Sequence, residues 1–310
     1  MRRPMARIFI TRRLPGDPVE RIAREGHEVD VWEGSMPPSR EELLARADGA
    51  EGLITLLTER IDAELLDALP GLKVVSNYAV GSDNIDLDAA DQRGVAVGVT
   101  PDVLTEATAD LAWALLMAAA RGIVPAAADV RAGRWHTWEP QGWIGHDVYG
   151  ASLLVVGAGR IGQAVAKRGS GFAMRVSVAD VGDDLMAMLP EADFVSLHVP
   201  LTDSTRGLIG REQLQAMKPT AILVNTARGP VVDRHALGEA LHGGWIAGAA
   251  LDVTDPEPLP ADDPLLQAPN LLVVPHIGSA TQGARAAMTD RAVRNLLAGV
   301  AGEPIPFPAR

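Results

Sequence analysis

The sequence predicts an α/β protein built from two Rossmann-like, doubly wound parallel-sheet domains, one inserted into the other. Short apolar runs rich in Val, Ile and Leu alternate with helix-length segments from Arg7 to Val274, the order that builds parallel sheets covered on both faces. This pattern breaks at Thr100-Pro101, where the residue before proline leaves the helical region. The last amphipathic stretch, Thr281–Val300, follows the final strand, so the chain is expected to return and pack on its first domain. At 310 residues there is enough chain for two cores of ordinary size. The expected units are a discontinuous flavodoxin-like domain, residues 1–99 and 277–310, and an inserted Rossmann domain, residues 100–276. The two crossings fall near 99–101 and 276–280.

In the first unit, Arg7–Thr11 reads as strand, Pro15–Gly26 as turn and helix, and Val29–Trp32 as strand. Ser39-Arg40-Glu41-Glu42 is a capping box, in which Ser39 and Glu42 satisfy each other's backbone donors at a helix start. Strands over Gly52–Leu57, Lys73–Ser76 and Val95–Gly98 alternate with helices over Asp62–Leu69 and Asp86–Arg93. None of these turns carries a phosphate-binding glycine fingerprint. Helices follow at Thr105–Arg121 and Val124–Ala132. The apolar run Leu111–Ala120 is half the length of a membrane span and reads as buried helix. Gly133–Gly150 then holds three of the chain's six tryptophans, Trp135, Trp138 and Trp143, with Tyr149 among glycines and a proline. Such a loop is either a local plug or a contact surface for a second subunit. The second reading is preferred, which makes about 105–150 the expected dimerisation segment of a homodimer. Further strands are Phe194–Leu197, Ala221–Asn225, Ile246–Asp252 and Leu271–Val274, with helices at Arg211–Met217 and Asp233–His242.

Between these halves lies the most informative stretch. Ser152–Val156 is a continuous apolar run, suited to a strand buried on both faces. It leads into Gly157-Ala158-Gly159-Arg160-Ile161-Gly162, and Gln163–Arg168 continue with helical spacing. Gly157 permits the tight turn, Gly159 lets the backbone approach a pyrophosphate, and Gly162 lets the helix pack close to the strand. The helix start offers free N–H groups and positive dipole to phosphates. The next strand, Arg175–Ala179, ends in Asp180, eighteen residues past Gly162, where a carboxylate accepts hydrogen bonds from ribose hydroxyls. A glycine loop alone also serves as a plain turn, but strand, helix and acid together make a nucleotide site. The expected cofactor is NAD. NADH is preferred over NADPH, because a 2′-phosphate would face Asp180 and Val181-Gly182-Asp183-Asp184 supplies no cation.

Composition removes other classes. A formal net charge of −12 argues against nucleic acid or an anionic membrane as partner. There is no cysteine, hence no disulfide, thiolate metal site or cysteine nucleophile. The seven histidines show no metal-ligand spacing, so no metal is expected. The basic stretch Met1–Arg7 precedes an apolar run too short for a signal peptide, and the expected location is cytoplasmic.

In an open α/β sheet, ligands sit beyond the carboxyl ends of the strands. Three charged residues fall just past strand ends in the nucleotide half: Arg228, Glu257 and His276. Singly, each has a plain alternative, as a surface charge, a solvated loop acid or a hydrogen-bonded structural histidine. Together they resemble the D-2-hydroxyacid dehydrogenase family, through Asn225-Thr226-Ala227-Arg228-Gly229, through Leu251-Asp252-Val253 with Pro256-Glu257-Pro258, and through Pro275-His276-Ile277-Gly278-Ser279-Ala280-Thr281. Tyr78-Ala79-Val80-Gly81, Thr100–Thr105, Ala107–Leu111 and the loop around Trp138 are similar to its glyoxylate/hydroxypyruvate reductase branch.

The resemblance implies reduction of a small 2-oxo acid, glyoxylate or hydroxypyruvate, to the D-2-hydroxy acid by hydride transfer from the nicotinamide. It makes His276 the proton donor to the carbonyl oxygen, since an imidazole titrates where reversible transfer needs it. Glu257 holds the far ring nitrogen, and the Arg228 fork holds the substrate carboxylate and polarises the carbonyl. It also implies that Val80 and Gly81 N–H groups bind the carboxylate, that Trp138 reaches the active site of a partner subunit, and that Leu56 is a wall limiting substrate size. Plain core is an equal reading of Leu56. Beyond the glycine loop and Asp180, cofactor contacts are implied for Thr108, His198, Val199, Pro200, Thr205, Thr226, Ala227, Asp252 and Ser279. The segment 181–193 is shorter than in relatives, so a helix-strand excursion beside the adenine pocket looks trimmed. The rival expectations are a dehydrogenase of the same family for a bulkier 2-oxo acid or 3-phosphoglycerate, and an NADH-sensing regulatory protein of the same fold.

Overall fold

A computed structural model describes residues 5–310; Met1–Pro4, part of the basic N-terminal stretch, lie outside the described residues. The chain forms two compact units, one of residues up to Leu104 with Thr281–Arg310, the other of Thr105–Ala280. Both are parallel α/β sheets.

The first unit contains β1 (Arg7–Ile10), β2 (Glu28–Val31), β3 (Gly52–Thr55), β4 (Val74–Asn77) and β5 (Ala96–Gly98), in the order β2-β1-β3-β4-β5. Every pair is parallel. The chain leaves β1 on one side and returns to β3 on the other, so the carboxyl ends of β1 and β3 flank the topological switch point. The Ser39 capping box forms as its spacing requires: Ser39 Oγ accepts from Glu42 N–H (3.2 Å), and Ser39 N–H donates to the Glu42 carboxylate (2.8 Å). Asp62 and Asp86 cap the next two helices, each carboxylate accepting one backbone N–H. Phe9, Leu53, Val75 and Val97 bury one face of the sheet. Helix Gln282–Val300 covers the other, and its fully buried Asn295 donates to Val99 O (2.9 Å) and accepts from Phe307 N–H (3.0 Å). The returning chain is thus fastened by polar bonds as well as apolar contact.

The second unit contains β6 (Ser152–Val156), β7 (Arg175–Ala179), β8 (Phe194–Leu197), β9 (Ile222–Asn225), β10 (Gly248–Leu251) and β11 (Leu271–Val273), in the order β11-β10-β9-β8-β6-β7. Alternate residues of β6 serve the two cores: Leu153 and Val155 face helix Thr105–Ala120, while Leu154 and Val156 join Leu197, Leu223 and Leu251. Each such fully buried side chain contributes roughly 1.5–3 kcal/mol. Trp113 anchors the helix, stacking on Phe172 (4.8 Å between rings) and donating its indole N–H to Val165 O (3.0 Å). The short 181–193 segment holds only the helix Leu185–Met188 and one 3₁₀ turn, four residues being too few to show helical periodicity in sequence. Among the described residues no further strand pairs with β7, which is a sheet edge with Ser177 and Val178 exposed. No single helix among the described residues is long and apolar enough to cross a membrane.

Candidate active site

The order of the second sheet reverses at β6, so its switch point lies above the ends of β6 and β8. Gly157 follows β6 with φ 107°, and a Cβ there would lie 2.6 Å from His198 O, on the loop after β8. A Cβ on Gly162 would lie 2.0 Å from Gly157 O, so helix Arg160–Gly169 is held against the turn by the missing side chain. Gly159 differs. A Cβ there would meet nothing within 4 Å, so no intramolecular contact requires glycine, and the opening faces a helix start with no side-chain cap. An uncapped helix start with room above it suits a pyrophosphate. Gln163 Nε2 donates to Ala158 O (2.8 Å) and steadies the loop. Asp180 follows β7 directly and is exposed, and its N–H donates to the Asp183 carboxylate (2.8 Å).

On the far side of β8, His198 bonds Ser196 Oγ through Nε2 (2.8 Å) and faces Thr226 Oγ1 through Nδ1 (3.5 Å). Burial pushes its pKa down to about 4, so the ring is neutral near pH 7. The Thr205 hydroxyl closes its own loop, donating to Pro200 O (2.6 Å) and accepting from Thr202 N–H (2.8 Å).

The three charged candidates stand at the ends of adjacent parallel strands, β9, β10 and β11. Asn225, fully buried at the end of β9, clips the Arg228 turn by accepting from Ala227 N–H (3.0 Å) and donating to Arg228 O (2.9 Å). The half-buried Arg228 donates from Nη1 to Ala227 O (2.9 Å). Its neighbour Gly229 lies so near the next loop that a Cβ would sit 2.0 Å from Thr254 O. That loop carries Glu257, between two cis-prolyl bonds, and the Glu257 carboxylate pairs with His276 Nδ1. His276 takes the left-handed conformation, φ 52°, after the break at Pro275. Its turn is fixed from beneath by Asp252, whose carboxylate accepts from Ile277 N–H (2.6 Å) and Gly278 N–H (2.9 Å). Burial pushes the Asp252 carboxyl up, opposed by those two N–H groups. Gly278, on the same turn, abuts both Asp252 and Thr108, and Ser279 beside it is half-buried. Sequence reasoning missed the clips of Asn225 and Asp252; the only signal was an Asn or Asp in the last or next position of a strand.

The profile of the D-isomer specific 2-hydroxyacid dehydrogenase NAD-binding domain matches residues 113–278. A glyoxylate reductase of Korarchaeum cryptofilum is 49% identical over 96% of this chain and 93% of its own. The chain belongs to the D-isomer specific 2-hydroxyacid dehydrogenases. The crystal structure of the TT0316 protein of Thermus thermophilus superposes on this dehydrogenase with a TM-score of 0.93 at 51% identity, covering 97% of this chain and 99% of that one. An NADPH-dependent glyoxylate/hydroxypyruvate reductase of Sinorhizobium meliloti, solved with NADP and malonate, matches with a TM-score of 0.83 at 32% identity, covering 98% and 97%. The dehydrogenase is therefore an oxidoreductase with an NAD(P)-binding Rossmann unit.

The remaining candidates lie outside that cluster. In the first unit, Leu56 follows β3 and is half-buried, so it is not plain core. Val80 and Gly81 follow β4, and their N–H groups donate to no acceptor among the described residues. Trp138 is 79% exposed, and Trp135, Trp143, Ile144 and Tyr149 are exposed with it. The loop is not a local plug.

Proposed function

We propose that the dehydrogenase reduces glyoxylate and hydroxypyruvate to glycolate and D-glycerate with NADH. The observation that carries this reading is the Glu257–His276 pair on the strand ends next to the Arg228 turn. When bound, the cofactor supplies the hydride. Arg228 binds the substrate carboxylate with its fork of donors and draws charge toward the carbonyl oxygen. The Val80 and Gly81 amides add two donors to the carboxylate. His276 releases its Nε2 proton to the carbonyl oxygen as negative charge develops there, while Glu257 on Nδ1 keeps the ring oriented. The phosphates rest on the Gly157–Gly162 loop and the start of helix Arg160–Gly169. His198, Val199, Pro200, Thr205, Thr226, Ala227, Thr108 and Ser279 line the rest of the cofactor site, and Asp252 supports the turn beneath it. Asp180 accepts the ribose hydroxyls and repels a 2′-phosphate, giving NADH preference although one relative is named as NADPH-dependent.

The exposed aromatics of 133–150 favour a homodimer in which Trp138 reaches the partner's active site; an apolar surface of that kind needs a cover. Steady-state kinetics on a panel of small and bulky 2-oxo acids, with NADH and NADPH, tests the assignment. Glyoxylate and hydroxypyruvate with NADH are expected to give the highest kcat/KM. Preference for a bulky acid overturns the substrate assignment, equal or better use of NADPH overturns the role of Asp180, and cofactor binding without turnover favours a sensor.

A further inference from the structure

The loops after β3 and β4 are joined by a network of polar side chains, linked through the Leu56 and Glu59 carbonyls, that the proposed chemistry does not use. Glu59 is only 4% exposed, and its carboxylate accepts from the Thr11 hydroxyl (2.6 Å), the Leu56 N–H (2.7 Å) and the Thr58 hydroxyl. Asn84 spends both amide hydrogens on the β3 loop, donating to Leu56 O (3.0 Å) and Glu59 O (2.9 Å). Its own oxygen accepts from Asn77 Nδ2 (3.0 Å), which also donates to Gly81 O (2.9 Å). The Thr55 hydroxyl completes Asn77 (3.3 Å). The path from Thr11 to Gly81 thus runs from one buried carboxylate through the Leu56–Glu59 backbone to two amides whose N–H donors are all used.

A buried carboxylate is costly unless every lone-pair direction is met, and an apolar side chain would fill the same space without that cost. Glu59 sits at the switch point of the first sheet, where its three donors come from the ends of β1 and β3. The chain ends on Leu56 and Gly81, two of the residues assigned above to the substrate. We propose that Glu59, Asn84 and Asn77 are positioning residues, a relay that locks the two loops into one body and fixes the Leu56 side chain relative to the Val80–Gly81 N–H pair for a small 2-oxo acid. The inference rests on the substrate role of Val80 and Gly81. Its effect falls on substrate binding, because the hydride and proton are handled by residues of the other unit.

The test compares the full-length chain with Asn84→Asp, Asn84→Ala and Glu59→Gln. Asn84→Asp turns two donors into acceptors facing two carbonyl oxygens. Glu59→Gln keeps an oxygen for Leu56 N–H and is the conservative control. Expected is a rise in glyoxylate KM of about tenfold or more for Asn84→Asp, less for Asn84→Ala and least for Glu59→Gln, with kcat and the NADH dissociation constant within about twofold. Amide hydrogen exchange is expected to quicken together at 56–59 and 78–85 in both Asn84 variants. Exchange that quickens in one loop alone, an unmoved KM in an active enzyme, or a fall in kcat at constant KM overturns the relay. A wild-type chain inert toward every small 2-oxo acid overturns the functional reading instead; coupled exchange then retains the link between the loops, and uncoupled exchange removes it.

Discussion

The two units share one architecture but hold their strand-end loops with different mixtures of polar bonds and close backbone approach. In the first, side chains do it: Glu59, Asn77 and Asn84 fill the space above β1, β3 and β4 with hydrogen bonds. In the second, polar clips from Asn225 and Asp252 are joined by absent side chains: Gly157, Gly162 and Gly229 let backbone rest on backbone. The contrast follows from what each set of loops offers. The first unit, on the proposed reading, presents main-chain N–H groups and spends its polar side chains on support. The second, on the proposed reading, presents Arg228, Glu257 and His276, and brings their loops close by omitting side chains at Gly157, Gly162 and Gly229.

If that division holds, substitutions should separate cleanly. Arg228→Ala and His276→Ala, which take away presented side chains, should each lower kcat/KM for glyoxylate by about 10³-fold or more while the thermal transition is retained. Near-normal turnover in either breaks the comparison. Gly229→Ala, with its Cβ placed 2.0 Å from Thr254 O, should cost about 2–4 kcal/mol in urea unfolding and lose activity as the Arg228 turn shifts. Two glycines of one loop sharpen the point further. Gly162→Ala should destabilise by about 1–3 kcal/mol, because Gly157 O lies in the way. Gly159→Ala should leave stability unchanged and weaken NADH binding by about tenfold, because the space it fills is otherwise empty. Equal stability losses would mean that Gly159 is packing too.

The smallest effect lies at the opposite end of the second sheet. Burial pulls the Asp193 carboxyl upward, but Lys218 (2.7 Å) and Ser152 outweigh it and hold the pKa at about 2, below the ordinary 3.8. A depressed carboxyl stabilises the fold fully above about pH 4, and the contribution is lost as pH falls through about 2. Both side chains are nearly a third exposed, which trims the gain by solvent screening. Lys218→Met should therefore cost about 1 kcal/mol near neutrality, and the gap to wild type should close between pH 4 and pH 2 with turnover unaffected. A gap that persists at pH 2 would mean lost packing instead.

Much of this was legible in the sequence. Phe194–Leu197 forms the strand its composition demands, and Ser39 with Glu42 forms the expected box, because both are decided within a few residues. The glycine loop, its helix and Asp180 are equally local. What stayed hidden depends on distant partners. Nothing beside Glu59, between Thr58 and Arg60, signals its burial, and its partner Thr11 lies forty-eight positions earlier. The Asp252 clip needs amides twenty-five and twenty-six residues later. Whether the tryptophans of 133–150 plug or protrude depends on where the loop lies, and no spacing encodes that.

The left-handed backbone at His276 sets its own rule for dissecting the enzyme. An imidazole delivered by a φ of 52° depends on the bend first and on the ring second. Asparagine enters that bend readily, so His276→Asn deletes the proposed proton donor while sparing the corner. Valine or isoleucine would resist the corner itself, and the activity lost there would report on geometry, not on proton transfer.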